Sequence, residues 1–326
     1  MDRVWVGFDL GGTKMLTKVY TDDFRELAKK RKRTRVQEGV KAGLKRLIGA
    51  IEKALQKAGV SPDALAGIGV GCPGPLDLKK GIVREAPNLG WYDVPLKKEL
   101  EDAFGCPAVI CNDVDAGVYG EYRFGAGRGG RCVVGVFPGT GIGGGCVYRG
   151  KIVQGERLSC MEIGHIVVEP EGPRCGCGQR GCLEAIASRL AIAAAAAQAV
   201  HRGQAPALKK LAGADVERIR SGVLAKAIEQ GDEVVERIVI DAAETIGRAL
   251  AGVVHLLAPD AIVLGGGLVE AMPRLFVKTV QAAVDRHVLK TFRGTYRVAC
   301  AELGDDATVR GAAAWARDRI LRPDTD

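Results

Sequence analysis

The chain has 326 residues, 47% of them hydrophobic, and carries 47 Lys and Arg against 39 Asp and Glu, a net charge of +8. That apolar content excludes a disordered chain and suffices for one large domain or two linked ones. The basic excess is modest: it suits a nucleotide or phosphorylated ligand and does not demand nucleic acid as a partner.

The first residues, Met1 and Asp2, lead at once into a strand pattern. There is no charged segment with an apolar run behind it, as an export signal would have, and no stretch of about 18 apolar residues that would span a membrane. A cytoplasmic location is therefore expected, with the ten cysteines as free thiols in a reducing compartment.

In chain order, VWVGFDLGGTKMLTKVY reads as two strands around a Gly-Gly turn, and RELAKKRKRTRV as a third strand. The basic run KKRKRTR has no interleaved aromatic residue for base stacking, and the expectation is a solvated edge strand. Residues 38 to 58 have helical spacing, with Leu44, Leu47, Ile48, Ile51 and Leu55 on one stripe and Gly59 at the end. LAGIGVGCPG runs from a strand into a glycine loop. PAVICNDVDAGVYGEYRF runs from a strand into a helix, with Asn112 and Asp113 at the joint. RCVVGVFPGTGIGGGCVYRGKIV repeats the opening strand, glycine turn and strand, which suggests two related halves. Helices are expected over 183 to 200 and 232 to 257, a buried strand over AIVLGGGL, and a last helix from Asp305 to Leu321.

Three glycine turns follow strands: Gly11-Gly12, Gly139 to Gly145, and Gly265 to Gly267. Glycine lets a backbone approach a phosphate and turn its N–H groups toward it. GTGIGG matches the dinucleotide pattern, but an alternating strand follows it, where a dinucleotide fold requires a helix. Two hairpin turns that clamp phosphates are the better reading, with plain hairpins as the alternative. Asp9 ends the first strand, where a carboxylate can hold Mg²⁺ through water.

Cys175, Cys177 and Cys182 form C-x-C-x4-C, and His165 is the nearest histidine. Thiols this close in a reducing compartment point to a tetrahedral zinc site, with an oxidised or reactive cluster as the alternative. A zinc-bound His165 would keep one ring nitrogen for a ligand, and Glu162 and Glu184 flank the cluster. Asp113 is a base that accepts a hydroxyl proton, or its bland role is a helix N-cap, which Asn112 or Asp113 could fill.

DLGGTK, CNDVDA, GTGIGGG, EIGH, CGCGQRGCLE and VLGGGL occur in the order seen in the ROK family of repressors, open reading frames and sugar kinases, and the chain resembles that family from Val4 to about Ala314. The resemblance implies an α/β, actin-like ATPase (ribonuclease H-like) fold of two domains with a central cleft. It places a small N-terminal domain at 1 to 115, with the helix at about 305 to 321 packed back on it, and a large domain with the zinc motif at 116 to 304. It implies an ATP-dependent hexokinase, most like a glucokinase, that phosphorylates the 6-hydroxyl of glucose as a homodimer. In it, Asp113 is the base. Asn112, Asp113, Glu162, His165 and Glu184 contact the sugar. Asp9, Gly11, Gly12, Thr13 and Lys14, and Gly139, Thr140, Gly141, Gly143 and Gly144, form the phosphate loops, and Gly265, Gly266 and Gly267 lie by the adenosine. His165, Cys175, Cys177 and Cys182 hold Zn²⁺.

The segments GCPGPLD and APNLGWYDVPL are expected to approach the sugar. Kinases for N-acetylmannosamine, N-acetylglucosamine, mannose, fructose or allose share the motif set, and a sugar-sensing regulator without catalysis is a further alternative. Repressor members carry a helix-turn-helix domain before the kinase-like part, for which a first strand at about Arg3 leaves no room. Polyphosphate-using relatives usually lack the cysteine cluster. In NDVDA, Val114 and Asp115 stand where the family often has Ala-Asn, and Asp115 is expected to face along the helix with little effect on mechanism.

Overall fold

The computed structural model describes residues 3–156 and 158–322. Its elements run β1 (Val4–Leu10), β2 (Lys14–Thr21), β3 (Glu26–Arg33), α1 (Gly39–Ala58), β4 (Leu65–Cys72), β5 (Leu76–Asp77), β6 (Ile82–Ala86), β7 (Trp91–Val94), α2 (Leu96–Phe104), β8 (Ala108–Asn112) and α3 (Asp113–Phe124). They continue through β9 (Cys132–Pro138), β10 (Ile142–Tyr148), β11 (Lys151–Ile152), α4 (Leu183–Ala187), α5 (Arg189–His201), α6 (Pro206–Ala212), α7 (Ser221–Glu229), α8 (Glu233–Leu257), β12 (Ala261–Leu264), α9 (Gly267–Ala271), α10 (Pro273–His287), β13 (Arg297–Cys300) and α11 (Ala307–Leu321).

Two five-stranded sheets share one topology. The first has the order β3-β2-β1-β4-β8 and the second β11-β10-β9-β12-β13. Each begins with an antiparallel hairpin whose first strand pairs in parallel with a later one, β1 with β4 and β9 with β12. The echo between the two glycine-turn segments is thus an echo of whole sheets.

The chain divides into two compact units. The first takes the chain through Gly129, Cys146–Cys160 and everything from Asp305 onward; the second takes Gly130–Gly145 and Met161–Gly304. The division expected at residue 115 therefore moves, because all of α3 packs with α11 in the first unit. The reason is close backbone approach. A Cβ on Gly311 of α11 would collide with the Ala116 carbonyl of α3, and a Cβ on Gly69 of β4 would collide with the Ala312 carbonyl.

In the first unit the basic strand β3 is the sheet edge, as its lysines suggest. Its neighbour Lys18 is buried yet paired, with Glu26 at 2.5 Å and Asp306 at 2.6 Å, and Arg31 meets Asp305 at 2.6 Å. The strand's charge is thus used to hold the start of α11. The α1 helix ends at Gly59 in the left-handed region, φ 65°, with its N–H on Gln56 O and Leu55 O. Its buried stripe is centred on Leu47, Ala50, Ile51 and Ala54, while Leu44 and Ile48 lie at its margin. The segment between β4 and α2 folds into a small sheet, β5-β6-β7, with Val83, Trp91 and Val94 buried.

In the second unit, residues 183 to 201 do not form one helix. Ser188 breaks the run and caps α5 by accepting the Ala191 N–H at 3.3 Å. By length and composition Leu183–His201 is apolar enough to cross a membrane, but Glu184, Ser188, Arg189 and Gln198 interrupt it and half of it is buried in the protein.

Candidate active site

The parallel strands β1, β4 and β8 bring Asp9, Gly71, Cys72 and Asn112 to one end of the first sheet, with Asp9 opposite Gly71 and Cys72 opposite Asn112. The carboxyl ends of parallel strands are where open α/β sheets place ligands. Asn112 is the N-cap of α3: its Oδ1 accepts the Val114 N–H at 2.8 Å and the Asp115 N–H at 3.3 Å. That bond fixes the side-chain amide and leaves its NH₂ as the group for a ligand. Of the two residues that could cap this helix, Asn112 is the one that does. Asp113 is the first helical residue, with Oδ1 on the Val114 N–H at 3.0 Å and its carbonyl accepting Thr308 Oγ1 at 3.1 Å. Its backbone is wedged closely enough that a Cβ on Gly71 would touch Asp113 Cα at 3.4 Å.

Asp9 stands beside Asp113. Burial first, and then the charges of Asp113 and Asp305, push its carboxyl up from 3.8 to about 7, against the pull of Arg31. A crowded group of acids of this kind fits a divalent cation, whose charge relieves the repulsion. The first glycine turn adjoins it: the Gly11 N–H donates to Lys14 O at 3.1 Å, and Thr34 Oγ1 donates to Gly11 O at 2.6 Å. Thr13 lies in the turn and Lys14 opens β2. A Cβ on Gly12 would meet Asn88 O at 3.0 Å, so the loop within APNLGWYDVPL lies against this turn.

In the second unit the glycine turn is Gly139 to Gly141, closed by the Gly139 N–H on Gly141 O at 2.8 Å; Gly143 and Gly144 lie inside β10. Arg189, at the first position of α5, clamps it. Its N–H donates to Gly139 O at 2.9 Å and its Nη2 to Thr140 Oγ1 at 3.1 Å. The third glycine turn packs on the strand that feeds this loop, since a Cβ on Gly266 would meet Pro138 O at 2.8 Å. Gly266 caps α9 with φ 80°, and Gly267 begins that helix, 3.5 Å by its virtual Cβ from Ser221 Oγ. Thr140, Arg189, Arg220, Ser221 and Gly222 line a cavity of about 580 Å³. Arg189, Arg220 and Ser221 are absent from the sequence reading. The signal available for Arg189 was its place directly after a helix-capping serine.

His165, Cys175, Cys177 and Cys182 converge, with their ligand atoms all within 4.8 Å of one another. Cys175 Sγ is 3.7 Å from His165 Nδ1 and Cys177 Sγ is 3.7 Å from Cys182 Sγ. The edge of a tetrahedron built with Zn–S of about 2.3 Å is about 3.8 Å, so the four donors fit zinc. The sulfurs are too far apart for a disulfide, and all ten cysteines are free. A backbone N–H from Gln179 lowers the Cys177 thiol below its usual range, and burial pushes Cys182 up to about 12. Nδ1 faces the sulfurs, so the ring nitrogen left for a ligand is Nε2 on an exposed His165. Gly181 makes the turn possible. It has φ 69°, and a Cβ there would collide with the Glu169 carbonyl. Glu162 is exposed at the start of the 3-10 turn Ile163–His165. Glu184 is half-buried, with Oε2 on the Ile142 N–H at 2.9 Å.

Asp115, expected to face along the helix, has a tertiary partner. It is buried and accepts Ser159 Oγ at 2.5 Å, which ties the first turn of α3 to the segment after β11.

The pattern of the ROK family matches residues 5–319. The chain belongs to the ROK family. Its fold is that of the actin-like ATPases. It is 37% identical to a glucokinase of Thermotoga maritima over 97% of this chain and 98% of that protein. It superposes with a TM-score of 0.82 on a ROK family glucokinase from Streptomyces griseus in complex with glucose and AMPPNP, 32% identical, over 97% of this chain and 99% of that one. The ROK hexokinase of Thermus thermophilus gives a TM-score of 0.82 at 34% identity, over 98% of this chain and 99% of that one. Within this ROK chain, the motif residues thus gather into one set in each unit: Asp9, Gly11 to Lys14, Asn112 and Asp113 in the first, and the second glycine turn, Glu184 and the thiol cluster in the second.

Proposed function

We propose that this ROK chain is a cytoplasmic, ATP-dependent hexokinase that transfers the γ-phosphoryl group of ATP to the 6-hydroxyl of glucose. The observation that carries this reading is the joint of β8 and α3, where Asn112 takes the cap and so leaves the Asp113 carboxylate beside Asp9 to do chemistry. The similarity to glucokinases over the full chain supports it.

Asp113 accepts the proton of the sugar's 6-hydroxyl as its oxygen attacks phosphorus. The Asn112 amide donates to a neighbouring hydroxyl and holds the ring. The turns Gly11 to Lys14 and Gly139 to Gly141 direct backbone N–H groups at the phosphates, and the cavity by Ser221 and Arg220 takes the nucleoside. Asp9 would hold Mg²⁺, which would supply charge neutralisation on the transferring phosphates. His165 Nδ1 and the three cysteines would hold Zn²⁺, which would fix the imidazole; His165 Nε2 then meets a sugar hydroxyl while Glu162 and Glu184 accept from others. Phosphoryl transfer is chiefly positioning and charge neutralisation, and these groups supply both.

The test is ADP release with MgATP across glucose, mannose, fructose and the two N-acetyl sugars. Turnover on glucose supports the full reading. Turnover only on another sugar keeps the chemistry and moves the specificity. No turnover on any sugar by the zinc-loaded protein overturns it.

A further inference from the structure

A second basic cavity, of about 430 Å³, lies in the first unit, walled by α3, the β10–β11 turn and the end of α11. Six cationic side chains reach its wall: Arg123, Arg149, Lys151, Arg317, Arg319 and Arg322. Among the described residues that line it, Asp318 is the one carboxylate, and it is already engaged by Arg123 and by the Tyr119 hydroxyl. Arg317 is drawn to Asp22 at 3.2 Å. Among the described residues, neither Arg149 nor Arg322 has an ion pair. The wall also has an aromatic face, where Tyr119 and Trp315 stack edge to face at 5.1 Å and the Arg319 guanidinium lies 5.6 Å from the Trp315 ring centre.

The placement of Arg149 is costly. Arg149 and Gly150 form the two-residue turn between paired Tyr148 and Lys151, with φ 50° and φ 81°. A turn with both residues in the left-handed region favours Asn-Gly, and arginine there is strained. The hairpin nevertheless places Arg149, whose guanidinium lies 5.3 Å from the Tyr148 ring centre, in the wall of a cavity already rich in positive charge.

We propose that this cavity binds a small phosphate-bearing anion, at a site separate from the catalytic residues. Guanidinium groups match phosphate oxygens in pairs, and several converging on one concave site favour a multiply charged group over a lone carboxylate. The volume is that of a small-molecule pocket, not of a surface for a polymer. Asp113 opens α3 and Arg123 lies ten residues on, about 15 Å along the helix, so the site sits at the far end of the helix that carries the catalytic base.

The experiment is titration calorimetry of the full-length protein at about 0.15 M salt with inorganic phosphate, pyrophosphate or glycerol phosphate, and with acetate and an acidic peptide as controls. The expected result is saturable binding in at least one phosphate arm. That binding weakens at least tenfold in Arg149→Asn, a change that suits the turn and keeps the fold, and also weakens in Arg322→Gln. The arm that binds identifies free phosphate, pyrophosphate or a monoester as the ligand class. Equal affinity in the wild type and both variants overturns the proposal. So does binding that is lost in Arg189→Ala but kept in Arg149→Asn, since that locates it at the nucleotide loop. Acetate binding as tight as the phosphates, no binding in any phosphate arm, or binding of the acidic peptide alone also overturns it.

Discussion

Glu184 joins two parts of the site: its Oε2 accepts the Ile142 N–H at 2.9 Å while its Oε1 stands 3.9 Å from Cys175 Sγ. One carboxylate thereby braces the glycine turn from Gly139 to Gly141 and borders the thiol cluster. A Cβ on Gly141 would collide with the same carboxylate, so the turn and Glu184 are fitted to each other. Glu184→Ala leaves the Ile142 N–H without its acceptor, at a cost of about 1–3 kcal/mol. The expected outcome is a raised KM for both MgATP and sugar. Glu184→Gln keeps an acceptor, so its MgATP KM stays closer to the wild type. Steady-state kinetics on the two variants checks this.

Asp113→Asn keeps an oxygen for the Val114 N–H and should fold normally. It removes the base, so kcat is expected to fall by about 10²–10⁴-fold. Sugar affinity, measured by calorimetry, should change little. Retention of most of the turnover would remove Asp113 from its role.

On the proposed reading, a chelator strips zinc from a set of donors that all lie within 4.8 Å of one another, and Cys177→Ser removes one of those thiolates. The protein is expected to lose bound metal, to melt at lower temperature and to bind sugar more weakly, because His165 loses its fixed orientation. Metal content, melting temperature and sugar Kd are measured on the same sample. Unchanged Kd in a zinc-free protein would mean that the cluster holds the fold alone.

The Asp22 carboxylate accepts the Trp5 Nε1–H at 2.9 Å and pairs with Arg317, and these contacts hold it below its ordinary value of 3.8, the Trp5 bond foremost. A lowered carboxylate stabilises the fold above its unfolded value and loses that contribution as pH falls through the folded value. Stability is therefore expected to decline in part through Asp22 below about pH 4. Asp22→Asn should flatten that part of the profile. The effect is small because the side chain is 51% exposed. Urea midpoints of both proteins from pH 3 to 6 test it.

Gly311→Ala places a methyl group where the Ala116 carbonyl already stands. Relief requires α11 to move off α3, and overpacking of this kind costs about 1–3 kcal/mol or more. A lower urea midpoint is expected, together with weaker activity, because Thr308 of α11 holds the Asp113 carbonyl.

Much of the outline was legible in the sequence. The two hairpins, α1 with its Gly59 stop and the glycine turns follow from local chemistry: apolar period, turn residues and caps. The convergence of the thiols was legible too, because C-x-C-x4-C confines three of them to one short turn whatever surrounds it. The small sheet from β5 to β7 was not, since its strands are only two to five residues long. Nor was Arg189, whose partners Gly139 and Thr140 lie some fifty residues earlier in the chain.

By itself the sequence singled out the candidate residues, because motif spacing and turn composition are local properties. Only the tertiary structure decided how those residues share their tasks. Asn112, not Asp113, caps α3, because the strand end sets the backbone angles at that joint. His165 turns Nδ1, not Nε2, to the sulfurs. Asp115 is buried against Ser159, and the unit boundary lies beyond α3, because α11 returns from the end of the chain to pack on that helix at glycine contacts. Such choices depend on partners distant in sequence, and packing alone brings those partners together.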